Sequence, residues 1–489
     1  MIAANLAELQ KAHSIADRVT PLVENRLPDN SRLWIASALV VFLVLVSWMK
    51  NLIISSGIDH IPGVTYPFDE YIYIALRLVV IGVLIWLFLH FRLTTGTGDP
   101  KKVALTNDRW FDPLMGLRAF ACFLVLLGHY YMVTYAPSSI SEIEHPLKKA
   151  FLILLSGSPW GGVWVFFTLS GYLMGKGFVR GRYSLDEPGV ALYVRNRMLR
   201  IVPIYFMANF LLSVWICPGI FEWKNIWMLI EILTFDYRGN LGINPDGALW
   251  SVSTEVQFYF LVPLIVVCLY MLKKKAPWIV TTIPLWLLTL CTVWRMSLLH
   301  LFPDFSRYYA WGYAPLVSNL DLFITGLSLN LIPKPAGWLL NLSDRRRGAL
   351  LIGLTGVFYI VISILSTLHV RYSALNERMF QFWTIAPVLA CAFASSFIYI
   401  AELKGRMKIS KGMIGRLLLG IQGLGTITYC AYVFHPGCYE SLRRILPDHL
   451  SLSLSIAFMP VAMIIVLLMA LIFNRLIEEP FEARKRISA

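Results

Sequence analysis

Apolar residues gather along the chain into about a dozen runs. Each is near the roughly 20 residues that a helix rising about 1.5 Å per residue needs to cross a hydrocarbon core. Reading the runs as helices predicts spans at Leu33 to Ile54, Tyr71 to Leu93, Leu117 to Tyr135, Val163 to Phe178, Val202 to Ile220 and Leu249 to Leu272. Six more follow at Trp278 to Leu299, Leu316 to Ile332, Ala349 to Leu368, Thr384 to Ala401, Ile421 to Leu442 and Leu452 to Phe473. The segment Phe221 to Phe235 is Trp-rich and short and carries Glu222, Lys224 and Glu231, so it reads as an interfacial helix. The fold class expected is an all-α polytopic membrane protein of about 12 transmembrane helices.

Composition agrees. The 489 residues are 57% apolar and 15% charged, where a soluble domain is roughly 45–50% and 25%. That balance excludes a disordered chain, a disulfide scaffold and a large soluble enzyme. The net charge of +14 is a matter of topology, not a nucleic-acid patch. Lys and Arg crowd alternate loops, about 25 against about 9 in the opposite set, which places the basic loops and both termini in the cytoplasm. The seven cysteines lie in or beside spans without metal-ligand spacing, so no metal is expected. The segment before Leu33 lacks the pattern of a cleaved signal peptide and is expected to stay.

Ionisable groups inside spans are costly and mark candidate sites. In GLRAFACFLVLLGHY, Arg118 stands at the cytoplasmic mouth and His129 eleven residues on, about 16 Å deeper at helical rise. Arg118 alone also reads as a snorkelling anchor, and His129 as a packing residue. In ALWSVSTEVQFYF, Ser251, Ser253, Glu255 and Gln257 enter the outer half of a span. Glu255 lies about 9 Å deep, within about 5 Å in depth of His129. A carboxylate there can orient an imidazole that takes a proton from a hydroxyl; the plainer alternative pairs Glu255 with Arg295. The basic stretch YVRNRMLRIVPIY offers Arg195, Arg197 and Arg200 as a fork for the phosphates of a cytosolic donor, or simply as positive-inside charge. His435 precedes Pro436, whose missing N–H frees a carbonyl and kinks the helix, and is a second candidate.

Taken in order, these segments resemble acyltransferase family 3, membrane proteins that O-acylate glycans, lipid-linked sugars and some small molecules. GLRAFACFLVLLGH is similar to a signature of Arg, ten residues, then His, met by Arg118 and His129. GGVWVFFTLSGYLMGK matches the Gly-Val-x-x-Phe-Phe-x-Leu-Ser-Gly helix through Gly162, Val163, Phe166, Phe167, Leu169, Ser170 and Gly171. RNRMLRIVPIYF matches through Arg200, Pro203 and Tyr205, and LWSVSTEVQFYFLVP through Trp250, Ser251, Ser253, Glu255, Phe258 and Tyr259. LDLFITG, TYCAYVFHP and RLIEEPF resemble later helices of the family.

The resemblance implies a division into a cytoplasmic N-terminal segment (1–32), two additional helices (33–93), a linker (94–116), a ten-helix acyltransferase domain (117–481) and a basic tail (482–489). A fused extracytoplasmic hydrolase-like domain is expected to be absent. The resemblance also implies an acyl-CoA donor, with acetyl-CoA the expected one, and a glycan, lipid-linked sugar or small-molecule acceptor such as a macrolide. Membrane lipids are the other partners, no nucleic acid is expected, and the location is a bacterial inner membrane. His129 is the expected base supported by Glu255, acting directly or through an acyl-histidine. Arg118, Arg195, Arg197 and Arg200 would hold the donor's phosphates. Ser170, Trp250, Ser251, Ser253, Tyr259 and His435 would meet substrate or orient these groups. The rival reading is a transporter or flippase, which also predicts twelve spans with buried His, Glu and Arg; it lacks repeated halves.

Cysteine introduced at Arg345 in a background free of native cysteines should react with an impermeant maleimide only from the cytoplasmic side, and cysteine at Ser306 only from outside. The opposite labelling would invert the orientation.

Overall fold

The computed structural model describes residues 110–134, 152–215, 248–302, 308–332, 341–371, 376–409, 412–445 and 452–482. The expected spans at Leu33 to Ile54 and Tyr71 to Leu93, the N-terminal segment, the interfacial stretch Phe221 to Phe235 and the basic tail beyond Glu482 lie outside the described residues. Within them the architecture is helical. The helices are α1 (Pro113–Thr134), α2 (Pro159–Val179), α3 (Glu187–Trp215), α4 (Trp250–Lys275), α5 (Pro277–Leu301) and α6 (Leu320–Ser328). They continue with α7 (Asp344–Arg371), α8 (Asn376–Glu402), α9 (Met413–Thr426), α10 (Thr428–Ile445), α11 (Leu452–Phe473) and the single turn α12 (Glu479–Glu482). Two short strands, β1 (Trp110–Phe111) and β2 (Met407–Lys408), pair antiparallel and tie the entry of α1 to the loop after α8.

Six of the described helical stretches are long and apolar enough to cross a membrane, and a bent pair makes a seventh by length and composition. The chain is a multi-pass membrane protein. Helices α2 and α3 do not meet that criterion. For α2 the reason is its content of glycine, Gly161, Gly162, Gly171, Gly175 and Gly177, which adds little hydropathy; it packs against α1, α4, α6 and α8, and most of its residues are buried. Its start is fixed by Pro159 in the first turn and by the Ser158 hydroxyl, which accepts from the Gly161 N–H at 3.2 Å.

Two expected spans take other forms. Leu316 to Ile332 is not one helix: a π-turn (Tyr309–Tyr313) and a 3-10 turn (Leu316–Asn319) lead into the nine-residue α6. At helical rise α6 covers only about 14 Å, a half-span. The Asn319 amide donates to the carbonyls of Tyr313 and Pro315 at 2.6 and 3.0 Å, satisfying the irregular backbone before the helix starts. Ile421 to Leu442 is likewise divided: α9 and α10 meet at 73°. The break falls after the glycine-rich stretch Gly420, Gly423 and Gly425, where helix propensity is lowest. It does not fall at Pro436, which α10 contains.

The α2 and α6 backbones cross in direct contact. A Cβ on Gly171 would overlap the Phe323 carbonyl oxygen, and one on Gly326 would overlap the Thr168 carbonyl oxygen. Hydrocarbon supplies no hydrophobic drive between helices, so small residues that let backbones touch are the main source of such packing. The crossing seats Phe323 between Phe167 and Phe258, with ring centroids at 4.5 and 4.2 Å.

Gly171→Ala or Gly326→Ala should lower the thermal midpoint of the detergent-solubilised protein, each costing about 1–3 kcal/mol or more from overpacking. Gly353→Ala, where a Cβ meets nothing within 4 Å, should leave it unchanged or raise it slightly, because alanine favours a helix interior over glycine. Size-exclusion recovery after heating reads both.

Candidate active site

Five helices surround a partly open cavity of about 720 Å³. Arg118 enters from α1, Ser170 from α2, Arg197 and Arg200 from α3, Ser251, Glu255 and Tyr259 from α4, and Thr428, Tyr429 and Tyr432 from α10. Arg195 is buried on α3 but is not in the lining.

Glu255 is the acidic group of this cavity. Its Oε1 accepts a short hydrogen bond from the Ser170 hydroxyl and another from the Tyr259 hydroxyl at 2.7 Å. Glu255 and Tyr259 are one helical turn apart, and α2 brings Ser170 to the same oxygen. The second carboxylate oxygen makes no hydrogen bond among the described residues.

The arginines differ in how far they are neutralised. Arg200 lies 3.3 Å from Glu482 and 4.0 Å from Glu478. These come from the closing RLIEEPF segment, where a π-turn (Asn474–Glu478) and α12 pack on α3. Glu478 itself is held by Asn474 at 3.0 Å and the Cys430 thiol at 3.1 Å. Arg118 makes no hydrogen bond or ion pair among the described residues. Arg197 lies over the Tyr193 ring, 5.9 Å from its centroid, and its buried Nε has no hydrogen-bond partner among the described residues. With Arg200 set against two carboxylates, Arg118 and Arg197 still outnumber Glu255. The cavity therefore favours an anion with several acceptor oxygens.

At the far end of the lining, the Tyr432 hydroxyl meets the Ser251 hydroxyl at 2.5 Å, and both reach the Ala248 carbonyl at 3.0 Å. Tyr432 also links the cavity to two imidazoles outside its lining. The Tyr432 carbonyl lies 2.6 Å from His435 Nδ1, and His435 Nε2 lies 2.9 Å from His129 Nδ1. His435 is fully buried and His129 partly exposed.

The expected contact between His129 and Glu255 is thus replaced by two others: the imidazole meets His435, and the carboxylate meets Ser170 and Tyr259. Similar depth on two helices did not make them lateral neighbours. The alternative partner for Glu255, Arg295, is also engaged elsewhere. Arg295 on α5 makes a buried bidentate pair with Asp321 of α6 at 2.8 and 3.2 Å and donates to the Ser318 carbonyl at 2.8 Å. Ser251 and Ser253 do not touch Glu255. Ser253 stands 3.5 Å from the Tyr205 hydroxyl. Trp250 is buried against Tyr313, Tyr309 and Phe167, which makes it part of the aromatic packing under the cavity.

Sequence reasoning missed Tyr432, Glu478 and Glu482. Tyr432 had a signal: it lies four residues before Pro436, so its carbonyl is the one left without a helical donor. The carboxylates of RLIEEPF carried none, because their arginine is more than 270 residues away in the chain.

The class that the fold and the cavity define is a multi-pass helical membrane protein with an arginine-lined cavity beside a histidine pair. The family described as Acyltransferase domain matches residues 108–475, and the chain belongs to it, acyltransferase family 3. It is similar to the O-acetyltransferase OatA of Staphylococcus aureus strain NCTC 8325, 26% identical over 230 residues, 44% of this chain and 34% of that protein. It is also similar to YrhL of Bacillus subtilis strain 168, whose name refers to peptidoglycan O-acetylation, 29% identical over 215 residues, 40% of this chain and 29% of that protein. The aligned part is about a third of each relative's length. No solved structure matches the chain.

Arg295→Leu should leave Asp321 buried without its partner and cost about 3–5 kcal/mol, while the double change with Asp321→Leu should recover much of the loss. Thermal midpoints of the three variants test this. A double variant no better than the single one would contradict the pairing.

Proposed function

We propose that the protein is a membrane O-acyltransferase that moves an acyl group, acetyl in the simplest case, from acyl-CoA to a hydroxyl of an envelope glycan or lipid-linked sugar. The observation that carries this reading is the arginine pair of the cavity, Arg118 and Arg197, which outnumbers Glu255, on the same bundle as a histidine pair made of His129, eleven residues further along α1, and His435 of α10. In this reading the arginine end faces the cytoplasm and binds the donor's phosphates. Family membership and the O-acetyltransferase names of the two relatives support the transfer of an acyl group.

His129 is the base of the proposed reaction. Its imidazole takes the proton of the acceptor hydroxyl as the oxygen attacks the thioester carbonyl. The new C–O bond forms, the C–S bond breaks, and the imidazolium returns its proton to the departing thiolate, giving ester and free thiol. Arg118 to His129 is about 16 Å along the helix, a stretch for the donor's extended arm to cover past Tyr432. Glu255 acts from the cavity and not on the imidazole: it orders the Ser170 and Tyr259 hydroxyls and offsets the arginine charge beside the bound phosphates.

The test is transfer of labelled acetyl from acetyl-CoA to an N-acetylglucosamine tetramer by purified full-length protein. His129→Ala should reduce kcat by about 10²-fold or more. Arg118→Ala should raise the donor KM about ten- to a hundredfold, the loss of one charge-assisted contact of about 1.5–3 kcal/mol. Equal transfer by wild type and both variants, or uptake of the sugar into vesicles with no transfer, would overturn the proposal.

A further inference from the structure

We infer that His435 is a positioning residue that fixes the tautomer of His129, through a relay that starts at Pro436; this rests on the reading of His129 as the base. In α10 the carbonyl of residue 432 would ordinarily accept from the N–H of residue 436. Proline has no N–H, so that carbonyl loses its ordinary helical donor inside a buried helix. His435 donates in place of that N–H, its Nδ1 lying 2.6 Å from the Tyr432 carbonyl oxygen.

The protonation pattern follows by elimination. A carbonyl oxygen can only accept, so Nδ1 of His435 carries the hydrogen. A neutral imidazole has a single N–H, so Nε2 of His435 carries a lone pair. His435 is 0% exposed, and its ring neighbours are His129, Tyr432 and Tyr439, at 4.8, 5.7 and 5.8 Å between centroids. None of these is an acid that would balance a cation there. The lone pair of His435 Nε2 lies 2.9 Å from Nδ1 of His129, which must therefore donate. Neutral His129 is left with its lone pair on Nε2.

The relay holds the basic nitrogen of His129 at the end of the ring away from His435. An isolated histidine in water prefers the hydrogen on Nε2, so without the relay the resting ring would present a donor where the reaction needs an acceptor. The same contact gives the imidazolium formed during transfer a hydrogen-bond acceptor for its Nδ1–H. This is the role that a carboxylate fills in other hydroxyl-activating sites, and the one Glu255 does not fill here.

The test uses the full chain in lipid nanodiscs with ¹⁵N-labelled histidine, assigned by comparison with His129→Gln and His435→Gln. Wild type should show protonated Nδ1 and unprotonated Nε2 on both rings. In His435→Leu the hydrogen of His129 should move to Nε2, and kcat with acetyl-CoA and the N-acetylglucosamine tetramer should fall about 10²-fold with the donor KM unchanged. His435→Gln, whose amide oxygen accepts from Nδ1–H, should keep kcat within about tenfold of wild type. Pro436→Ala restores the N–H that competes for the Tyr432 carbonyl while leaving both rings in place, and should lower kcat about tenfold. A wild-type His129 protonated on Nε2, or equal kcat losses in the Leu and Gln variants, would overturn the relay. The base reading fails separately if His129→Ala retains transfer.

Discussion

A polar group inside hydrocarbon must find its partner within the protein, because the surrounding lipid offers none. In this bundle that constraint settles most of the buried charge. Arg295 is answered by Asp321, Arg200 by Glu478 and Glu482, and the Tyr432 carbonyl by His435 in place of a helical N–H. The cavity keeps polar groups that are less fully answered among the described residues. Arg118 and the Nε of Arg197 are available for an anion, and Glu255 spends one oxygen on two hydroxyls while the other makes no hydrogen bond among the described residues.

The packing that makes this arrangement possible is backbone against backbone. Gly171 and Gly326 let α2 and α6 touch, which fixes where Ser170 and Phe323 stand. The Arg295 and Asp321 pair locks α6 to α5. Helix α2, buried along most of its length, can then present Ser170 to Glu255 of α4. Helix α6 needs no full span because protein surrounds it.

Much of this was legible in the chain. The Arg118 and His129 spacing, the arginines of RNRMLRIVPIYF, and Ser251 and Glu255 in LWSVSTEVQFYF all fall on helices, and all but His129 and Arg195 line the cavity. Lateral pairing was not legible. Depth along a helix follows from counting residues, whereas the face it presents to a neighbour depends on rotation and tilt that no single span encodes. So Glu255 was matched to an imidazole at similar depth, and the imidazole's actual partner lies 306 residues away. Hydropathy likewise made one span of Leu316 to Ile332, since an apolar run does not reveal that Asn319 has taken the carbonyls of a broken backbone. The contact that sequence did foreshadow is a local one and came from chemistry: a proline inside a helix leaves a carbonyl four residues back without its helical donor, and the histidine beside it lies 2.6 Å from that oxygen.

The central claim is that donor phosphates and imidazole sit at opposite ends of one path through the bundle, with Tyr432 between them. An experimental structure of the full chain with a non-hydrolysable thioether analogue of acetyl-CoA tests it most directly. The account predicts phosphate oxygens on Arg118 and Arg197 and the thioether beyond Tyr432, within reach of His129 Nε2. Phosphates bound away from those arginines, or a sulfur on the far side of the bundle from His129, would contradict it.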